Sequence, residues 1–124
     1  MLRCPQIYKF VFVFCLLTVS AIANQFLVGT EDIPLMSGMT YSEEDTFSFE
    51  NEEGRLYFSK AFTSANSKEI WDFYRVALSQ LGWIEQPTGL FERDDEILKI
   101  SIEEDQKKDV NRTAVFFELI TKSK

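Results

Sequence analysis

The sequence predicts an α+β fold, a two-layer sandwich in which a four- to five-stranded, mainly antiparallel sheet packs on one helix in the order ββ-α-βββ. Two observations predict this class. Apolar residues alternate with polar ones near both ends of residues 45–124, and between these regions they recur at helical spacing. The 124 residues, of which 45% are apolar and 15% aromatic, are enough for one domain and too apolar for a disordered chain.

A β-hairpin is predicted first. Phe47 and Phe49 alternate with polar residues, a turn sequence at residues 51–54 ends in glycine, and the alternation resumes over residues 55–63. The acidic residues 43–45 are interpreted as a solvated patch before the first strand. Residues 24–44 are therefore expected to form an N-terminal arm, followed by a single α+β domain at residues 45–124.

A helix is predicted between Asn66 and Gly82. Asn66 is a suitable N-cap, Glu69 lies where a capping box needs it, and Gly82 suits the left-handed residue that ends many helices. The residues between them form one apolar face, which is expected to pack on the sheet. Its members are Ile70, Trp71, Phe73, Tyr74, Ala77, Leu78 and Leu81.

The remaining strands are predicted after the helix: one that starts at Trp83, stops at residues 87–89 and resumes at Leu90, one over residues 96–103 and one over residues 112–121. The last of these is apolar on both faces, so it is expected near the centre of the sheet. One helix can shield only part of such a sheet. Its second face therefore needs the N-terminal arm, a partner, or mostly polar side chains.

The first 23 residues have the three parts of a secretory signal peptide. Arg3 and Lys9 provide a basic start, an apolar run follows, and residues 21–23 supply the small residues for cleavage after Ala23. The uncharged run from Phe10 to Ala23 has 14 residues, fewer than the about 20 that a membrane helix requires. We expect a periplasmic protein, with an uncleaved, membrane-tethered form as the alternative.

Cleavage would leave an acidic chain without cysteine. Residues 1–23 contain two basic residues and no acidic ones, so 11 basic and 20 acidic side chains would remain, a net charge of −9. This charge disfavours nucleic acid and anionic membrane surfaces as partners. Both cysteines, Cys4 and Cys15, leave with the signal, and the chain has no histidine, which excludes thiol and imidazole chemistry.

Three short motifs resemble a group of small exported proteins of alphaproteobacteria. They are Pro34-Leu35-Met36-Ser37-Gly38-Met39, the helix end from Phe73-Tyr74 to Leu81-Gly82-Trp83, and the strand pair Phe91-Glu92-Arg93 with Leu98-Lys99-Ile100. The group has proline where this chain has Ser37 and Ser79. The resemblance covers most of residues 32–120. It implies export to a bacterial periplasm and supplies no activity.

The candidate ligand-binding residues are few. Met36 and Met39 could hold Cu(I), although two thioethers alone make a poor site and packing is the commoner role of methionine. The acidic clusters lack the spacing of a calcium loop and are interpreted as solvated turns. No metal ion or cofactor is therefore expected.

Three further residues are candidates for binding. Glu118 lies in the most apolar strand, where burial would raise its pKa, or else it pairs with a basic neighbour at the surface. Trp71 and Tyr74 have the amphipathic side chains that are enriched at interfaces, or else they belong to the core. The leading hypothesis is a non-enzymatic module that contacts a protein or envelope partner. The alternative is a small carboxylate-based enzyme or ligand carrier with a shallow groove.

Overall fold

The computed structural model describes residues 26–27, 30, 33–105 and 112–123, so the predicted signal peptide lies outside the described residues. Within these ranges the fold is α+β, with one helix and an open, six-stranded antiparallel sheet in the order β1-β2-β6-β5-β4-β3. The elements are β1 (Thr40–Asn51), β2 (Gly54–Thr63), α1 (Ser67–Gln80), β3 (Ile84–Gln86), β4 (Leu90–Arg93), β5 (Glu96–Asp105) and β6 (Arg112–Lys122).

The sheet has six strands where four to five were predicted. The turn at residues 87–89 reverses the chain, so the short segments β3 and β4 are separate strands that pair antiparallel. β6 lies between β2 and β5 and pairs with each over ten positions, which confirms its predicted place near the centre. A central strand has a neighbouring strand on each side, which shields its apolar side chains more than those of an edge strand.

The first strand begins earlier than predicted. β1 starts at Thr40, so the predicted boundary between arm and domain at residue 44 falls inside this strand. Its pairing with β2 shifts register between Ser42 and Phe47, and the acidic residues 43–45 lie in this irregular, exposed stretch. The bulge interrupts the alternation of apolar and polar residues, which explains why sequence periodicity did not detect the start of β1.

The predicted caps of α1 are confirmed at both ends. The Asn66 side chain accepts a hydrogen bond from the Glu69 N–H at 2.9 Å. Gly82 has φ +89°, and the N–H groups of Gly82 and Trp83 donate to the carbonyls of Ser79 and Leu78, as in a Schellman motif. Ile70, Tyr74 and Leu78 are fully buried, so the predicted apolar face of the helix packs on the core.

The core lies entirely between the sheet and the helix, and the N-terminal arm contributes to it. Leu27, Ile33 and Leu35 from the arm are buried in the same cluster as Tyr74 and Leu78 of the helix. The arm therefore covers the helix side of the sheet and is not available, over its described residues, to cover the other face. No helix among the described residues is long and apolar enough to cross a membrane.

Candidate functional site

The candidate site is the face of the sheet that points away from α1, here called the open face. Side chains alternate between the two faces of a strand, so the strand register defines its members. They include Thr40, Ser42, Phe47, Phe49, Leu56, Phe58, Lys60, Phe62, Ile84, Gln86, Leu90, Glu92, Ile97, Lys99, Ser101, Glu103, Arg112, Ala114, Phe116, Glu118, Ile120 and Lys122. None of the described elements packs over this face, although half of its side chains are apolar.

Aromatic rings run across the middle of the open face. The rings of Phe47 and Phe58 are stacked with centroids 5.2 Å apart, and Phe58 lies 6.3 Å from Phe116 on the neighbouring strand. Phe47 is 54% exposed and Phe49 is 59% exposed. Large apolar side chains are exposed as a contiguous group mainly where they contact a partner.

Two basic side chains frame the aromatic group at one end of the strands. The Lys60 Nζ lies 5.1 Å from the ring centroid of Phe62 and 5.2 Å from that of Phe116. The Arg112 guanidinium carbon lies 3.5 Å from the Phe62 centroid. These residues line a depression of about 550 Å³ together with Glu103, Glu104 and Ala114. Stacking on a ring orders both cations and leaves their N–H donors available to an anionic or polar partner group.

The opposite end of the strands is acidic. The β1–β2 turn carries Glu52 and Glu53, and the β4–β5 turn carries Asp94 and Asp95. Two backbone hydrogen bonds from the end of β6 hold both turns at the same end of the sheet. The Lys122 N–H donates to the Asp95 carbonyl, and the Ser123 N–H donates to the Glu53 carbonyl. Acidic side chains lie at both ends of the strands, since Glu103 and Glu104 line the depression beside Lys60 and Arg112 at the other end.

Glu118 lies on the open face, half-buried, between Phe58 of β2 and Lys99 of β5 in the strand register. It also lines a second depression of about 410 Å³, together with Phe49, Leu56 and Ile120. The Glu118 side chain therefore has a basic cross-strand neighbour in the register and a depression beside it.

Tyr74, Met36 and Met39 come together on the other side of the sheet. Tyr74 is fully buried, and its hydroxyl donates to the Pro34 carbonyl at 2.9 Å and lies 3.5 Å from the Met39 Sδ. Burial raises the pKa of this phenol, so Tyr74 stays neutral at physiological pH. Tyr74 and Met39 are buried and join the arm to the helix, while Met36 is half-buried and packs against the same core.

Trp71 is half-buried at the edge of the same core. Its ring covers the backbone of Gly89, where a side chain of any other residue would approach the ring to 2.7 Å. The Arg75 guanidinium lies 5.4 Å from the Trp71 ring. Trp71 therefore closes the core over the β3–β4 turn. Of the residues proposed from the sequence, only Glu118 belongs to the open face.

Sequence reasoning missed the pair of Lys60 and Arg112. They are 52 positions apart in the chain and come together because β2 and β6 pair. The one local signal was a lysine between Phe58 and Phe62 on the same face of a strand. That pattern is typical of any solvated strand, so it identified no site.

No group of three or more acidic, cysteine or histidine side chains that could hold a metal ion occurs in the part of the chain that the structure describes. Comparison of the chain with protein-family models, with curated proteins and with solved structures found no match.

Proposed function

We propose that this protein is an exported, non-enzymatic binding module that acts by protein–protein contact through its open face. The observation that carries the proposal is the aromatic group of Phe47, Phe49, Phe58 and Phe116, in which Phe47 and Phe49 are more than half exposed and the other two rings are half-buried. Exposed aromatic side chains beside ordered basic groups are characteristic of the centre of protein interfaces. Export rests on the signal-like residues 1–23, and cleavage after Ala23 would place the module in the periplasm.

The sequence left three possibilities for the second face of the sheet: cover by the N-terminal arm, cover by a partner, or mostly polar side chains. Two of them do not apply to the described residues. The arm lies on the helix side, where Leu27 and Ile33 are buried. The open face is not mostly polar, since Phe47 and Phe49 are more than half exposed. A partner is what remains, and it supports the contact hypothesis.

Site-specific crosslinking tests this function. A photo-crosslinking amino acid is placed at Phe49, and a matched control is placed at Val76 on the outer side of α1, since the two residues are 59% and 60% exposed. Discrete protein adducts from position 49 but not from position 76 are expected when cells are irradiated. Equal labelling at both positions, or none at position 49, would contradict a contact role for the open face.

The N-terminus of the exported protein tests the location. Intact-mass measurement on the periplasmic fraction should find a chain that begins at Asn24. A chain that retains residues 1–23 and sediments with membranes would replace the periplasmic form by the tethered one.

The apolar depression beside Glu118 favours a second candidate, a ligand carrier or carboxylate-based enzyme. In that case E118Q would abolish ligand binding or turnover while leaving the crosslinks from position 49 unchanged. If the protein acts by contact, substitution of the aromatic side chains should weaken binding to the partner and E118Q should not, because the aromatic side chains supply the binding energy.

A further inference from the structure

We propose that docking of the N-terminal arm closes the cleavage site after Ala23, so that residues 1–23 are removed only before the arm packs on the core. A chain whose arm docks first keeps these residues and becomes the membrane-tethered form. This inference rests on the proposed function, because it takes cleavage after Ala23 from it. It adds what decides between the periplasmic and the tethered forms.

The arm is fixed to the domain a few residues after the cleavage site. Phe26 pairs with Pro34 in an antiparallel bridge, and the Leu27 side chain is 1% exposed. Ala23 is followed by Asn24, and the three chain steps from Asn24 to Leu27 span at most about 11 Å. Chain connectivity therefore keeps the bond to be cut close to a residue of the core.

Hydrogen bonds hold this part of the arm in place. The Leu27 N–H donates to the Ile33 carbonyl at 2.9 Å, and the Leu27 carbonyl accepts from both the N–H and the hydroxyl of Thr30 at 2.9 Å. The Pro34 carbonyl accepts from the buried Tyr74 hydroxyl. The start of the arm is thus attached to the helix as well as to the core.

The docked arm leaves too little free chain for a protease. A protease cuts where the chain is free to extend in its cleft, and a terminus that is tied down is protected. A domain of about 100 residues has a radius of gyration of about 13 Å, more than the reach of the free segment. Cleavage of the folded chain therefore requires the arm to open, and its rate follows the open fraction. Opening exposes Leu27 and Ile33 to water, which keeps that fraction small.

A spacer tests this occlusion. About eight glycine and serine residues inserted between Gln25 and Phe26 of the full chain add a reach of roughly 15 Å. The matched control carries the same insert after Lys124. Each folded precursor is incubated with bacterial signal peptidase in neutral detergent micelles, and intact-mass measurement gives the cleaved fraction. The spacer chain should be cleaved at least about ten times faster than the natural chain and the control. Urea denaturation should find the same stability in all three.

A loosened arm tests the opening step. The substitution T30A removes the hydroxyl that donates to the Leu27 carbonyl, and it should raise the cleavage rate of the folded precursor about three- to tenfold. The matched control is T113A, which removes a hydroxyl that donates to the Ala65 carbonyl at 2.8 Å, outside the arm. It should change the rate less than about twofold, because it does not loosen the arm. Circular dichroism confirms that both variants are folded.

Two outcomes would overturn the role of the arm and leave export intact. One is a natural folded chain that is cleaved as fast as the spacer chain, and the other is a T113A chain that is accelerated as much as T30A. If the spacer chain is not cleaved either, then Ala23 is not a cleavage site, and the periplasmic location in the proposed function fails together with this inference. The crosslinks from position 49 test the contact role independently of all these results.

Discussion

At the scale of the residue, Tyr74 connects three parts of the chain. Its ring packs edge-on against Phe73 and Phe117, with centroids 5.0 and 5.4 Å away, and its hydroxyl donates to the Pro34 carbonyl in the arm. A buried carbonyl without a donor carries the cost of desolvation, so this hydrogen bond fixes the arm against the helix. Tyr74 was proposed as either an interface or a core residue, and the structure places it in the core.

The substitution Y74F should lower the free energy of unfolding by about 1–2 kcal/mol, because it leaves the Pro34 carbonyl without its buried donor. Urea denaturation measures this change. The control is Y41F, whose hydroxyl contacts Glu43 at the surface at 3.3 Å, and which should change stability by less than about 0.5 kcal/mol. Equal losses in the two variants would show that the Pro34 contact does not hold the arm.

The same tyrosine gives a pH dependence. Burial raises the pKa of Tyr74 above its ordinary value of 10.0, so the unfolded chain releases this proton first as the pH rises. The stabilisation is therefore complete below about pH 10 and is lost above it. The urea midpoint of the natural chain should fall more steeply between about pH 9 and about pH 11 than that of Y74F. Parallel curves would contradict the burial of this phenol.

At the scale of the element, the turn of the β1–β2 hairpin determines how closely β6 approaches this end of the sheet. Its turn begins at Asn51, whose side chain accepts from the N–H groups of Glu53 and Gly54 at 2.9 and 3.2 Å. Gly54 has φ +144°, and a Cβ at this position would collide with the Thr121 carbonyl oxygen of β6. A conformation open only to glycine thus brings β6 directly against the turn.

The substitution G54A should lower the free energy of unfolding by more than about 2 kcal/mol, since it combines a positive φ with a backbone collision. The matched control is G38A. Gly38 has φ +83° but free space around its Cα, so only the backbone cost of about 1–2 kcal/mol applies. Thermal and urea unfolding measure both variants. A G54A chain as stable as G38A would mean that β6 does not approach the turn so closely.

At the scale of the whole molecule, the sheet has one face packed on the helix and the arm and one face that no described element covers. Phe117 and Val115 point from β6 into the core and are fully buried, while the next residues along the same strand point to the open face. The two faces of one strand therefore have different roles. Apolar residues on the core side contribute to folding, and those on the open face are the ones that the proposed function assigns to contact.

The substitution F117A should lower the free energy of unfolding by about 3–5 kcal/mol, because it leaves a cavity beside Tyr74. The double variant F47S/F49S should lower it by no more than about 1 kcal/mol, since both rings are more than half exposed. Urea denaturation at the same protein concentration compares the two variants. A large loss of stability in F47S/F49S would mean that the open face belongs to the core of the monomer.

The sequence by itself determined the helix with its two caps, the α+β class, the hairpin turn and the central place of β6. These features depend on residues close together in the chain, such as Asn66 with Glu69, or on the alternation within one strand. Only the tertiary structure decided which side of the sheet the arm covers and which cations approach Phe62. Pairing of β2 with β6 brings Lys60 beside Arg112, and a pairing over such a distance leaves no period in the sequence. For the same reason, the open face became visible only when the strands were in register.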